Sequence, residues 1–394
     1  MAGVTPTASA LRPAAAGLWL LLSCAAVAAA GPPVADRVLA PPEQFDVASL
    51  IERIKPKIEG DRTVWEYELV VSEEELPLAD GTPYKVWAFN GTVPGPTLLA
   101  REGDWVRITL INETSNPHTI HSHGLYVPLR MDGVPHALNG GHQGHGMEHM
   151  PAWTQPVEPG GSYTYEYIAR PAGTHFYHCH VNPNEHLDRG MSGALIVLPR
   201  LQEPPVDVDV IWLIDEWNSA YAQQGTPGHP REMGDYNFFT INGASFPATE
   251  AIRAATGTVV RLRIINVGVL SHPMHLHGHS FLVTHKDGQP LAEPAEMDTV
   301  LVGPAERVDL IIAANNPGTW HFHCHASPHV TNDGKYPGGM MSHLVVGDDP
   351  FPETGEGPVA PGLEELRRSW RRYARAALGL PPEAEGRVMG RVEE

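Results

Sequence analysis

A repeated pair of histidine motifs constrains this chain more than any other feature of its sequence. His118-Thr-Ile-His121-Ser-His123-Gly124 recurs 154 residues later as His272-Pro-Met-His275-Leu-His277-Gly278. A His-Cys-His triplet follows each motif, at residues 178–180 and 323–325. Self-similarity at a fixed spacing is the signature of repeated structural units. Two similar domains in tandem are therefore predicted, joined near residues 199–205.

The segments around these motifs have the pattern of β-strands. Residues 105–111, 162–168 and 259–265 alternate between apolar and polar side chains or run apolar and branched. Asn-Gly pairs at 90–91 and 242–243 predict turns. The 39 glycines and 38 prolines favour many short strands joined by turns. We therefore predict an all-β fold of two tandem antiparallel Greek-key β-sandwich domains, spanning residues 45–200 and 205–347.

The C-terminal tail, residues 348–394, differs from this pattern. Apolar and aromatic residues recur there at helical spacing: Leu363, Leu366, Trp370, Tyr373 and Leu378. Arginines lie around them, and a short amphipathic helix is predicted. Two alternatives are open for it: packing against the body or a neighbouring subunit, or binding a membrane surface through its basic side. Residues 31–44 and 380–394 are expected to be loosely held.

The N-terminus predicts export. Residues 1–30 read as a signal peptide, with Arg12 before the apolar run 17–27 and three alanines before Gly31. The protein is expected to be secreted or periplasmic, without a transmembrane span in the mature chain. A lipoprotein anchor through Cys24 and a retained N-terminal anchor are the alternatives. The net charge of -19 argues against nucleic acid as a partner.

The two cysteines beyond the signal peptide are predicted to bind metal rather than to form a disulfide, because each lies between two histidines. A thiolate with two imidazoles and a weak thioether is the ligand set of a blue copper site. One such set is predicted in each domain. The first is His118, Cys179, His186 and Met191, and the second is His272, Cys324, His329 and Met340. An inserted loop at 332–338 leaves Met341 as an alternative to Met340.

Eight further histidines remain once these two sets are assigned. They are His121, His123, His178, His180, His275, His277, His323 and His325. Residues at i and i+2 of a strand point the same way, so each motif directs its histidines toward one place. Eight imidazoles suit three metal ions, and neither domain supplies more than four. The cluster is therefore expected at an interface between a first and a second domain.

Together these motifs resemble the multicopper oxidase family, and specifically its two-domain, laccase-like branch with a type 1 copper in each domain. Further matching segments are 89–97, 102–104, 131–135, 298–302 and 306–309. The resemblance covers residues 60–347. It implies cupredoxin-like domains, and copper as type 1, type 2 and type 3 ions. His121 and His275 would hold the type 2 ion. The type 3 pair would be held by His123, His178, His180, His277, His323 and His325.

The resemblance also implies an activity and an assembly. A small reducing substrate, such as a phenol, an aromatic amine or a metal ion, would give single electrons, and dioxygen would be reduced to water. Members of this size are usually homotrimers with the clusters at subunit interfaces, and the same assembly is expected here. Asp132 is the candidate proton donor, since it resembles the acidic residue that the family places near its cluster, and a turn-capping role is the alternative. Asp215 and Glu216 are weaker candidates.

A histidine- and methionine-rich loop at 136–150 is not explained by these sites. Its possible ligands are His136, His142, His145, Met147, His149 and Met150. Two interpretations stay open: a site that collects copper or admits cuprous ions, and a flexible insertion.

Two other functions are compatible with copper ligands. A copper nitrite reductase needs only one blue site and a three-histidine site, so the eight extra histidines argue against it. A copper-binding or copper-tolerance protein (a cuprous oxidase) is the other alternative, and the loop at 136–150 motivates it.

Overall fold

The computed structural model describes residues 38–135, 155–220, 236–349 and 362–382. The predicted signal peptide, Cys24 and the loop at 136–150 lie outside the described residues. The first half contains β1 Lys57–Glu59, β2 Arg62–Pro77, β3 Pro83–Phe89, β4 Leu98–Arg101, β5 Trp105–Asn112, β6 His121–His123, β7 Ser162–Ile168, β8 Gly173–His178 and β9 Ser192–Leu198. The second contains β10 Val208–Trp217, β11 Phe238–Ile241, β12 Ile252–Ala254, β13 Val259–Asn266, β14 His272–Leu276, β15 Phe281–Lys286, β16 Gln289–Met297, β17 Thr299–Val302, β18 Arg307–Ala313, β19 Gly318–Cys324 and β20 Met341–Val346. The α-helices whose full extent lies in the described residues are α1 Val47–Arg53, α2 Pro183–His186 and α3 Leu363–Ala377.

The described strands form four sheets, two in each half. In the first half, one sheet has the order β1-β2-β5-β7, with β3 also paired to β2. The other sheet of this half has the order β4-β9-β8-β6. In the second half the orders are β11-β10-β13-β18-β15-β16 and β12-β20-β19-β14-β17. The prediction of an all-β fold with a C-terminal helix is confirmed. The domain limits 45–200 and 205–347 stay predictions.

The sheets are mixed, whereas the sequence pattern suggested antiparallel pairing throughout. Each sheet contains one parallel pair: β2 with β5, β4 with β9, β10 with β13 and β12 with β20. Parallel neighbours need a long crossover connection, so they are distant in sequence. Alternation within a strand reports which face is buried and carries no information about the direction of its partner. The antiparallel expectation was therefore wrong for these four pairs.

The C-terminal helix packs against the body of the protein, which was one of the two open alternatives. Leu366, Trp370 and Tyr373 of α3 are buried in one cluster with Leu282 and Ile311 of the second half. Leu378, expected on the same apolar stripe, lies after the helix and is 42% exposed. No helix among the described residues is long and apolar enough to span a membrane.

The segment before the first domain is more ordered than expected. Residues 38–44 were predicted to be loose, yet Val38 is fully buried and its carbonyl oxygen accepts the N–H of Val93 at 2.6 Å. The N–H of Ile211 donates to the carbonyl oxygen of Phe45 at 2.8 Å. Residues 38–45 thus contact Val93 of the first half and β10 of the second, a long-range pairing that no local pattern signals.

A buried polar network joins the halves behind the first His-Cys-His triplet. Thr174, on the strand that leads to the triplet, donates to Asp309 Oδ1 at 2.7 Å. Arg263 donates to Thr174 Oγ1 and to Asp209 Oδ1, both at 2.8 Å. Buried charges of this kind are stable only when paired and hydrogen-bonded. The network therefore fixes β8 against the second half.

Candidate metal centres

The first cysteine site brings together three residues from separate elements. Cys179 follows β8, His118 precedes β6, and His186 ends the short helix α2. The sulfur lies 3.8 Å from His118 Nδ1 and 3.1 Å from His186 Nδ1, and the two nitrogens are 3.3 Å apart. All three side chains are buried. The backbone N–H of Thr119 donates to the sulfur at 3.4 Å.

The second cysteine site repeats this geometry. Cys324 Sγ lies 3.7 Å from His272 Nδ1 and 3.4 Å from His329 Nδ1. The two nitrogens are 3.0 Å apart. Phe239 stacks on the His329 ring at 4.3 Å, where Trp87 covers His186 at 4.6 Å in the first half. The same trio of donors therefore forms twice, each time beneath an aromatic ring.

Backbone hydrogen bonds place one methionine in the same position at both sites. The N–H of Met191 donates to the His186 carbonyl, and its own carbonyl accepts the N–H of Cys179. Met340 makes the same two bonds, to His329 and from Cys324. Met341 instead begins β20 and pairs with His323. Met340 is thus the backbone equivalent of Met191, despite the longer loop before it.

These donors fit a cation that binds thiolate and imidazole. Burial raises the pKa of Cys179 to about 11 and that of Cys324 to about 12, so both are thiols at neutral pH unless a cation binds. Burial also lowers the pKa of His118 to about 3 and that of His186 to about 4. Both imidazoles are therefore neutral at pH 7, and one nitrogen of each keeps a lone pair that can bind a cation.

Four histidines of the first half form a second group beside the cysteine site. His121 lies centrally, with ring centroids 5.5 Å from His123, 5.2 Å from His178 and 5.4 Å from His180. His178 Nδ1 donates to the carbonyl of Cys179 at 2.9 Å. His123 Nδ1 is buried without a hydrogen-bond partner among the described residues. A buried polar atom left in this state calls for a ligand.

Four histidines of the second half form an equivalent group. Ring centroids join His275 to His277 at 4.9 Å, to His323 at 5.8 Å and to His325 at 5.5 Å. The Nε2 atoms of His277 and His323 are 3.1 Å apart. His323 Nδ1 donates to the Cys324 carbonyl at 2.9 Å, as His178 does to Cys179. His275 and His277 of this group line an open pocket of about 460 Å³.

The two histidine groups stay separate within the chain. In the ranges that the structure describes, every histidine–histidine ring contact joins residues of the same half. The eight histidines predicted to form one cluster thus form two groups of four within the chain, one in each half.

Aspartate main-chain oxygens orient the central histidine of each group. His121 Nδ1 donates to the carbonyl of Asp132 at 2.7 Å, and an oxygen of the Asp132 carboxylate is 3.4 Å away. His275 Nδ1 donates to the carbonyl of Asp298 at 2.9 Å. In both, Nδ1 carries the proton and Nε2 keeps the lone pair for a metal. Sequence reasoning singled out Asp132 and missed the role of Asp298, although Asp298 stands in a matching segment.

Asp215 and Glu216, the two weaker candidates for the proton donor, both lie in β10. Glu216 is buried against the second cysteine site, with Oε2 3.2 Å from His272 Nε2. Burial raises the pKa of Asp215 well above its usual range, and the neighbouring Glu216 charge adds to this. The structure thus places Glu216 at a cysteine site and not at either histidine group, which no sequence pattern signalled.

Comparison with known proteins agrees with this geometry. Two family models described as multicopper oxidase match residues 70–202 and 222–349. A solved multicopper oxidase named mgLAC is 44% identical, with a TM-score of 0.65, over 73% of this chain and 88% of that one. The blue copper oxidase of Nitrosomonas europaea is 39% identical, also with a TM-score of 0.65, over 77% of this chain and 94% of that one.

Curated relatives are more distant and longer. The multicopper oxidase MmcO of Mycobacterium tuberculosis is 28% identical over 57% of this chain and 47% of its own length. The chain therefore spans about half the length of the curated relatives that it matches. The two family models and the two solved structures, together with the paired cysteine sites, show that this chain belongs to the multicopper oxidase family.

Proposed function

We propose that this protein is a laccase-like copper oxidase, which takes single electrons from a small reducing substrate and reduces dioxygen to water. One observation carries the proposal. In each half, a cysteine site is joined through one peptide unit to a group of four histidines, and His178 and His323 both donate to the carbonyl of the neighbouring cysteine. Export to the periplasm or outside the cell is part of the proposal.

The resemblance to the multicopper oxidase family implies an assignment of these residues to copper sites. Type 1 sites would be held by His118, Cys179, His186 and Met191, and by His272, Cys324, His329 and Met340. The type 2 ion would be held by His121 and His275, and the type 3 pair by His123, His178, His180, His277, His323 and His325. When bound, copper supplies one-electron transfer at the thiolate sites and the four-electron reduction of dioxygen at the cluster.

The protein's part is to fix these donors and to supply protons. His178 and His323 each hold their ring by a bond to a cysteine carbonyl, so the covalent path between the two kinds of site is short. Asp132, whose carboxylate lies 3.4 Å from His121, would hold a proton for the reduction of dioxygen. Its half-exposed side chain can exchange that proton with water.

The cluster would form between two copies of the chain, in a homotrimer. Each chain contributes four histidines of the first half and four of the second, and these groups have no ring contact with one another among the described residues. The second group borders an open pocket, and His123 in the first has an unpartnered buried nitrogen. A neighbouring copy would complete both groups in a closed ring of heterologous contacts.

Oxygen uptake by the copper-loaded protein with 2,6-dimethoxyphenol tests the activity. We expect four electrons consumed per dioxygen, no released peroxide, and loss of uptake in His121→Ala. Uptake with Cu(I) but not with the phenol would redirect the proposal to a cuprous oxidase. Full copper loading without uptake from any reductant, or with reduction of nitrite instead, would contradict it.

Mixing two inactive variants tests the shared cluster. His121→Ala damages only the first group and His275→Ala only the second. If the groups meet between copies, mixed trimers contain intact clusters at about a quarter of their interfaces, and a corresponding share of activity returns. If each chain builds its own cluster, the mixture stays as inactive as its components. A mixture of His121→Ala with His123→Ala, both in the first group, is the matched control and should not recover.

A further inference from the structure

The two cysteine sites differ in the side chain that contacts Nε2 of one histidine, which is His118 in the first half and His272 in the second. In the first half, Thr114 Oγ1 lies 2.7 Å from His118 Nε2. Because this hydroxyl donates to Asn112 Oδ1 at 2.9 Å, it accepts the imidazole proton. In the second half, a carboxylate oxygen of Glu216 lies 3.2 Å from His272 Nε2. One histidine therefore donates to a neutral oxygen and the other to an acidic one.

The residues behind this difference lie at equivalent positions of the two repeats. Asn112 and Asn266 each accept the backbone N–H of the residue two positions later at 3.0 Å, which is Thr114 in one half and Gly268 in the other. Thr114 and Gly268 are therefore equivalent. A Cβ at Gly268 would collide with the Glu216 carboxylate. The carboxylate thus fills the space that the threonine side chain takes in the first half.

Glu216 is held in this place by two further donors. Its Oε1 accepts the backbone N–H groups of Val269 and Leu270 at 2.6 and 2.8 Å, and the residue is 1% exposed. The strand register makes Glu73 its counterpart in the first half, because Val71 pairs with Asn112 and Ile214 pairs with Asn266. Glu73 is exposed and accepts the Ser115 hydroxyl at 3.0 Å. The first half thus has no buried carboxylate at this point.

We propose that Glu216 is a positioning residue that lowers the reduction potential of the copper at Cys324 below that of the copper at Cys179. The inference rests on the proposed oxidase function. A carboxylate that accepts the proton of a ligating imidazole increases the basicity of the ligand. In a buried site its charge also favours the more positive Cu(II) over Cu(I). Electrons from the substrate would therefore reside on the first-half copper before the second-half copper.

Single-site variants separate the two potentials. Cys179→Ser keeps only the second blue site, and Cys324→Ser keeps only the first. Each is loaded with copper and titrated anaerobically while the blue absorption is followed. We expect a higher potential in Cys324→Ser, by at least about tenfold in the electron-transfer equilibrium, which corresponds to about 59 mV for one electron. Equal potentials, or the reverse order, would overturn the inference.

Glu216→Gln, which removes the charge at nearly constant size, tests the cause. In the Cys179→Ser protein it should shift the equilibrium toward Cu(I) by about tenfold or more. In the Cys324→Ser protein, the matched control, it should change nothing. A weaker blue absorption at an unchanged potential would mean that Glu216 only supports the local structure, and would overturn the inference.

A second variant covers the case in which Glu216→Gln does not fold. Glu216→Ser combined with Gly268→Thr recreates the first-half arrangement, in which the threonine fills the same space. In the Cys179→Ser protein it should raise the potential as Glu216→Gln does, and an unchanged potential contradicts the inference. Absence of blue absorption from every copper-loaded variant would instead overturn the copper assignment itself.

Discussion

The two halves carry the same histidine motifs in different surroundings. The inner geometry is shared: sulfur and two Nδ1 atoms converge at both cysteine sites, and an aspartate carbonyl orients both His121 and His275. The outer contacts differ. In the first half the Asp132 carboxylate faces the histidine, whereas that of Asp298 in the second accepts the Thr299 hydroxyl at 3.0 Å. Repeated motifs thus fix the candidate ligands, while the segments between them set the environment of each half.

The two aspartates provide the largest expected difference between the halves. Asp132→Asn should lower the rate of dioxygen reduction by about 10² to 10⁴-fold, the usual cost of losing a proton donor, with copper content unchanged. Asp298→Asn, the matched control, keeps its main-chain oxygen for His275 and should cost far less. Steady-state oxygen uptake with copper analysis of each variant measures this. Equal losses in both would show that neither carboxylate has a separate role in proton transfer.

Acid should destabilise the copper-free protein, mostly through its first half. Burial lowers the pKa of five histidines there, to about 3 for His118, His175 and His178 and to about 4 for His123 and His186. Because these values lie below 6.5, the unfolded chain binds more protons in acid. The contribution of these neutral histidines to the free energy of unfolding is fully present above pH 6.5. It is lost as the pH falls toward 4. At pH 5 the loss is on the order of 1 to 2 kcal/mol for each histidine.

Urea unfolding at pH 7 and pH 5 measures this loss. His118→Gln should reduce the pH dependence, because it removes one buried titrating group. His325→Gln, at an exposed histidine of the second half, should leave it unchanged. If the two variants show the same pH dependence of unfolding, burial of the first-half histidines is not the cause of the acid sensitivity.

Thr114→Val should weaken the first cysteine site alone. The change keeps the shape of the side chain but removes the oxygen that accepts the His118 proton. Loss of such an outer partner costs about 10 to 100-fold in metal affinity. Copper titration of the Cys324→Ser protein, with and without Thr114→Val, measures the effect. The same change in the Cys179→Ser protein should have no effect, and a loss there would mean that the two sites are not independent.

The smallest effect concerns helix α3, which packs on strands of the second half. Arg367 of α3 forms an exposed ion pair with Glu296 at 2.6 Å. Arg367→Gln should change the free energy of unfolding by no more than about 1 kcal/mol, as is typical of surface pairs. Leu366→Ala, in the buried face of the same helix, should cost about 2 to 5 kcal/mol. Comparable losses in a urea titration would show that charge, and not apolar burial, holds the helix.

Much of the fold was accessible from the sequence because its signals are local. Alternating residues predicted the strands Trp105–Asn112, Ser162–Ile168 and Val259–Asn266 to within a residue. Asn90 and Asn242 adopt the positive φ angles, 54° and 53°, that their Asn-Gly turns predict. Helical spacing located α3. Parallel pairing and the ordered packing of residues 38–44 were not predicted from the sequence, because both depend on partners that are far away in the chain.

The sequence by itself determined which side chains are the candidate metal ligands. The repeat, the two His-Cys-His triplets and their spacing named the two cysteine sets and the eight further histidines, because ligand atoms are a property of residue types. Tertiary structure decided how these residues are grouped: four histidines in each half, Met340 in the backbone position of Met191, and Asp298 beside His275. It also placed Glu216 against His272, a contact between residues 56 positions apart. Outer contacts of this kind arise only when distant strands pack, which is why no local pattern announces them.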